Sequence, residues 1–195
     1  MRGEAKSRGG LRGEAKVATA TKKFHYDFRG KVVMDIGSST GGFTDLALKA
    51  GAARVIAIEK GTKQMQEPMR SDERVELHEK TDVFDVRDFD VDTIMIDVSF
   101  LSIKKVLKHI KNIFRRECVD ILALVKPQFE AEKSELNNGI VKNNAIRRRI
   151  FRGFEDFLRK NGFLIVDKTE DIQKGKHGNQ ERFYFLRLYG EKTIA

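Results

Sequence analysis

The sequence holds a single cysteine, Cys118, in 195 residues. One thiol excludes an intrachain disulfide and a cysteine-based metal centre, and it fits a reducing, cytoplasmic setting. No apolar run approaches the ~18 residues needed to span a bilayer. The opening residues, MRGEAKSRGGLRGEAK, have no apolar stretch and do not read as a secretory signal. Nowhere do histidines and carboxylates take metal-ligand spacing, so no metal is expected. The one glycine-rich turn has neither the second glycine of the dinucleotide fingerprint nor the lysine of a phosphate-binding loop.

What remains is the composition of one folded domain. Hydrophobic residues make up 40% of the chain, enough for a real core. Lys and Arg number 38 against 29 Asp and Glu, a formal net charge of +9. That excess favours a polyanionic partner such as RNA, or an acidic membrane surface. It is concentrated at the start: residues 1–31 carry nine Lys/Arg against three acids. RGEAK occurs at 2–6 and again at 12–16, which reads as local bias because nothing later repeats it. The division expected is a basic N-terminal segment or helix over 1–30 and one domain over 31–195.

From Lys31 onward, short apolar runs alternate with helical patterns. KVVMDIG (31–37), ARVIAIE (53–59), VELHE (75–79), DTIMID (92–97) and VDILALV (119–125) read as strands. GGFTDLALKAG (41–51) has helical spacing and a glycine stop. Residues 101–116 and 144–161 place their apolar residues on one helical face. FLIVDKT (163–169) and RFYFLRLY (182–189) close the chain with no helix between them. Continuously apolar strands alternating with helices predict an α/β fold, a mostly parallel sheet of about seven strands covered on both faces. The hairpin-like connection makes the last strand antiparallel.

Ligands of such sheets bind beyond the carboxyl ends of the strands. The first strand runs into Asp35-Ile36-Gly37-Ser38-Ser39-Thr40-Gly41-Gly42-Phe43, a turn whose glycines let backbone lie against a ligand. Asp35, ahead of it, suits a ligand with an ammonium group, such as the amino-acid end of S-adenosylmethionine (SAM). Glu59, 22 residues after Gly37, can accept both hydroxyls of an adenosine ribose. Asp82 lies where an adenine amino group could bind. Taken singly, each has a plain structural reading; their order favours a nucleotide site.

Several stretches carry a closer likeness: SRGGLR (7–12), DIGSSTGGFTD (35–45), IDVSFLS (96–102), VKPQFEA (125–131), NGIV (138–141) and GNQERFYF (178–185). The chain resembles the TlyA, or hemolysin-A-type, family of FtsJ-like rRNA 2′-O-methyltransferases. The resemblance implies a Rossmann-like SAM-binding fold and methylation of rRNA riboses, with ribosomal RNA or ribosomal subunits as partners and no membrane. It also implies a Lys-Asp-Lys-Glu tetrad. Asp97, which also borders the cofactor site, matches the Asp, Lys126 the second Lys and Glu181 the Glu. Arg12 stands where the family has its first Lys. TlyA-like proteins carry an S4-type RNA-binding domain ahead of SRGG, and this chain is expected to lack it.

The chemistry asks for such residues independently. A ribose hydroxyl must lose its proton as it attacks, and lysine serves as the base only when it can give up its own. Arg12 cannot do so, because a guanidinium stays protonated; Lys16, one helical turn on, could replace it. Arg147, Arg148 and Arg149, with Lys174 and Lys176, are candidate RNA contacts, while His177 reads as a loop residue. Two other readings stand beside the enzyme: a non-catalytic SAM- or RNA-binding protein of the same fold, and a membrane-active hemolysin.

Overall fold

Each apolar run of five to eight residues becomes a strand because its neighbours bury it on both sides. The computed structural model describes residues 8–170 and 178–190, with backbone alone for 8–13. Helix α1 (Arg8–Lys23) precedes β1 (Val32–Ile36), α2 (Gly42–Lys49), β2 (Arg54–Ile58), β3 (Val75–His78) and β4 (Thr93–Ile96). Then follow α3 (Ile103–Ile113), β5 (Cys118–Val125), α4 (Asn144–Lys160), β6 (Phe163–Glu170) and β7 (Arg182–Tyr189). The seven strands lie in the order β3-β2-β1-β4-β5-β7-β6. Strands β1 to β5 pair in parallel, and β7 is antiparallel to both β5 and β6. This is the expected Rossmann-like sheet, with its antiparallel last strand.

The strand order reverses between β1 and β4, where crevices open at the carboxyl edge. Helices α3 and α4 cover one face and α1 and α2 the other, as the alternation along β7 shows. Tyr184, Leu186 and Leu188 join the core under α3 and α4, while Phe183 and Phe185 join Val17, Ala20, Phe43 and Ala47. Val106, Leu107, Phe154 and Leu158 are completely buried, each contributing roughly 1.5–3 kcal/mol.

Two polar devices set the loops above the carboxyl edge. Glu130, from the loop after β5, accepts the Ile103 backbone N–H at 2.8 Å and the Ser102 hydroxyl at 2.9 Å. A carboxylate there satisfies open donors and complements the α3 dipole. The buried Asn179 accepts the Val141 N–H at 3.0 Å and donates to the Gly139 carbonyl at 3.0 Å. It ties NGIV to the segment leading into β7, which gives two of the matched stretches a structural reason. Among the described residues, no helix is long and apolar enough to cross a membrane.

Candidate active site

The turn after β1 is pinned from below. Gly37 and Ser38 donate their N–H groups to the Ile58 carbonyl at 2.9 and 3.3 Å, and Asp97 donates its own to Ile36. At Gly37, φ is +83°, and a Cβ there would stand 2.6 Å from the Asp97 carbonyl oxygen. Only glycine permits that approach. Above it opens a cavity of about 700 Å³, bordered by Gly37, Ser39, Glu59, Asp82, Asp97 and Phe100 among others.

Five of the residues expected from the sequence therefore border one cavity: Gly37, Ser39, Glu59, Asp82 and Asp97. Glu59 is already engaged, accepting the Ser39 N–H at 2.8 Å and the Gly61 N–H at 2.6 Å. A carboxylate offers about four acceptor sites, so lone pairs remain for ligand hydroxyls. Asp82 accepts from Phe84 N–H and pairs with the exposed Lys60 at 2.8 Å. Thr40, Gly41 and Gly42 continue the turn into α2, outside the cavity lining. Phe43 points into the core against the Phe183 ring, 6.1 Å away.

Asp35 and Ser38 lie behind the turn, both buried. Asp35 accepts the Thr44 hydroxyl at 2.7 Å on one oxygen; its other oxygen and the Ser38 hydroxyl have no protein partner. Burial pushes the Asp35 carboxyl up to about 7, against the Thr44 hydrogen bond and with help from the Asp97 and Glu59 charges. A raised carboxyl favours the protonated fold, so its contribution to stability is lost as pH rises from about 4 to about 7. Asp35→Asn is expected to remove that loss, at up to about 1.4 kcal/mol per pH unit. Thermal melting of both proteins from pH 5 to pH 8 checks this. Parallel curves would place the titration elsewhere.

The second half of the site lies one strand over. Lys126 follows β5 and Asp97 follows β4, adjacent parallel strands, and the two side chains form a partly buried ion pair. Lys126 also donates to the Ser99 hydroxyl at 3.0 Å. Asp97 thus borders the cavity and holds the lysine as well. In the β5–β7 ladder Val125 faces Arg182, which sets Glu181 across from Lys126, one position further on. Glu181 is buried, 2.5 Å from the Lys16 ammonium and 3.5 Å from the Gln128 amide.

The structure therefore brings Asp97, Lys126 and Glu181 to one edge. Arg12 lies in α1 with its side chain outside the described residues, as do Lys174, Lys176 and His177 altogether. Arg147 donates to Asn144 at 2.6 Å, Arg149 pairs with Glu135, and Arg148 is exposed. Sequence reasoning missed Lys60, Gln64 and Phe100 as cavity residues, along with Gln128 and Glu130. Phe100 had a signal in hindsight, as an aromatic within IDVSFLS with no helical or strand phase to bury it. Among the described residues no group of His, Cys, Asp and Glu is arranged to hold a metal.

The fit to SAM follows from this geometry. The Gly37 cradle would be filled by a single methyl group, the buried Asp35 oxygen and Ser38 hydroxyl stand unpartnered behind it, and three carboxylates border the cavity. Such a lining suits a ligand with cationic centres and ribose hydroxyls.

The comparisons with known proteins agree. The profile of the FtsJ-like methyltransferase family matches residues 11–188. YqxC of Bacillus subtilis, a candidate rRNA methyltransferase, is 35% identical over 95% of this chain and 66% of its own length. The 23S rRNA (cytidine-2′-O)-methyltransferase TlyA of Campylobacter jejuni is 34% identical over 82% of this chain and 63% of its own. The chain thus spans a little under two thirds of either relative. The crystal structure of a candidate hemolysin from Lactococcus lactis superposes with a TM-score of 0.85 at 35% identity, covering 94% of this chain and 90% of that one.

Proposed function

The chain belongs to the FtsJ-like methyltransferase family, and we propose that it methylates a ribose 2′-hydroxyl of ribosomal RNA with SAM as the methyl donor. One observation supports this above the others: the Lys126–Asp97 pair stands at the rim of a nucleotide-sized cavity whose wall Asp97 also forms. Gly37, Ser39, Glu59, Asp82 and Asp97 would hold SAM. When bound, it supplies an electrophilic methyl on a sulfonium.

The chain's own residues do the rest. Asp97 fixes the Lys126 side chain beside the place where the hydroxyl must stand. Lys126, as the neutral amine, takes the hydroxyl proton as the oxygen attacks. The hydroxyl is a poor nucleophile, so alignment carries much of the rate. Residues 31–195 form the catalytic domain in this reading, and the basic segment 1–30 extends its RNA-facing surface. The setting is the cytoplasm, where ribosomes are.

Phe100 belongs to the same surface. Its ring is 94% exposed, its φ is +64°, and it lies 5.3 Å from the Phe129 ring. A strained backbone holding a bare aromatic beside a reactive site suits stacking on an unpaired base. Phe100→Ala is expected to weaken RNA binding by about 5- to 100-fold, the worth of one stacked base, with SAM affinity unchanged. RNA titrations alongside SAM calorimetry check it; a parallel loss of SAM binding would place Phe100 in the cofactor site.

The reading as a whole is tested by incubating the protein with methyl-labelled SAM and ribosomal subunits, naked rRNA or duplex DNA. Label in rRNA alone is expected. SAM binding without transfer to any of them would favour a non-catalytic SAM- or RNA-binding protein.

A further inference from the structure

A lysine ammonium is almost never buried without a strong reason. Lys16 is 8% exposed, and its ammonium lies 2.5 Å from Glu181, itself 4% exposed. Burying such a pair costs several kcal/mol per ion, and well-packed apolar residues would serve stability as well. The position of the pair suggests why the charges are kept. Glu181 stands across the ladder from Lys126. Helix α1 lies over that edge with Val17 and Ala20 in the core beside Phe183, so Lys16 reaches down onto it. Gln128, two residues after Lys126, approaches the other Glu181 oxygen. The resemblance asks for a lysine where this chain has Arg12, and Lys16 follows four residues later, on the same helix face.

Resting on the methyltransferase reading, we propose that Lys16 is a positioning residue of the transfer site. Its ammonium holds the Glu181 carboxylate ionised and aimed beside Lys126, in the place the family gives to a lysine at position 12. Lys16 touches neither the cavity wall nor Lys126. It acts through Glu181, and its loss misplaces the group that flanks the reacting hydroxyl.

The experiment compares wild type, Lys16→Met, Lys16→Arg and, as a control on the same helix, the exposed Lys22→Met. Each is assayed for labelled methyl transfer to rRNA, for SAM affinity and for melting temperature. Lys16→Met is expected to lose about 100-fold in kcat, the cost of misplacing a reacting group by about an ångström. SAM affinity and the KM for RNA should stay within about threefold, the pattern of an interaction made in the transition state. Lys16→Arg, which keeps the charge, should recover at least about a tenth of the rate, a rescue that a purely structural role would not give. In Lys16→Met, adding Glu181→Gln should cost little more, because the two act as a unit. If Lys16→Met does not fold, Lys16→Gln, which keeps a donor toward Glu181 and drops the charge, is read with the same expectation. An active wild type with Lys16→Met or Lys16→Gln within threefold of its kcat overturns this proposal alone. A wild type that transfers nothing overturns the functional reading, and this proposal with it.

Discussion

Replacing Lys126 by alanine is expected to lower kcat by about 10²- to 10⁴-fold, the usual worth of a positioned general base, while SAM binding stays within a few-fold. The split follows from the geometry. Lys126 pairs with Asp97 and donates to Ser99, but it does not border the cavity that Asp97 helps to form. Removing it leaves the wall in place and takes the proton acceptor away. Lys126→Arg separates two roles the alanine variant confounds. If the residue serves only as a fixed cation beside Asp97, arginine restores much of the rate. If it must take a proton, arginine is as poor as alanine, because the guanidinium does not deprotonate. The second outcome is the one expected. Single-turnover methyl transfer, with SAM titrated calorimetrically, gives both quantities.

Gly37→Ala should damage both stability and SAM binding. The residue sits at φ +83°, where a side chain costs about 1–3 kcal/mol. The new methyl would also meet the Asp97 carbonyl oxygen at 2.6 Å and its carbon at 3.1 Å. Both contacts are backbone, so relief requires β1 and β4 to part at the edge where the cavity opens. That movement carries Asp97, and Lys126 with it, away from the turn. At roughly 2–4 °C per kcal/mol for a chain of this size, melting should fall by several degrees. SAM affinity should fall more than tenfold, since the turn itself is displaced. Thermal melting and calorimetry decide it. A Gly37→Ala protein with native melting and native SAM affinity would show that the turn does not lie against β4.

Most of this fold can be read from the pattern of residues. The runs 31–37, 53–59, 92–97 and 119–125 are apolar throughout, as strands buried on both faces must be. The missing helix between 163–169 and 182–189 announces the antiparallel turn-back. The site's two halves were legible for different reasons. Gly37, Glu59 and Asp82 follow from where strands end, whereas Lys126, Asp97 and Glu181 came only through the family likeness, because a lone lysine after a strand has no period to reveal it. Partners across the chain were not legible. Nothing in 7–16 says that Lys16 meets Glu181 at a sequence distance of 165, or that Glu130 caps α3 from another loop. Phe43 shows the opposite error: its motif suggested the ligand, and its side chain packs into the core, since a residue at the start of α2 turns its next face toward the sheet.

The measurement that tests the central claim most directly is alkaline hydrolysis of rRNA labelled by the wild-type protein. Alkali cleaves RNA through the free 2′-hydroxyl, so a 2′-O-methyl group protects the bond beside it. Label in alkali-stable dinucleotides, absent when Lys126→Ala replaces the wild type, is the predicted result. Label released in mononucleotides would mean that a base, and not the ribose, receives the methyl group, and would contradict the account.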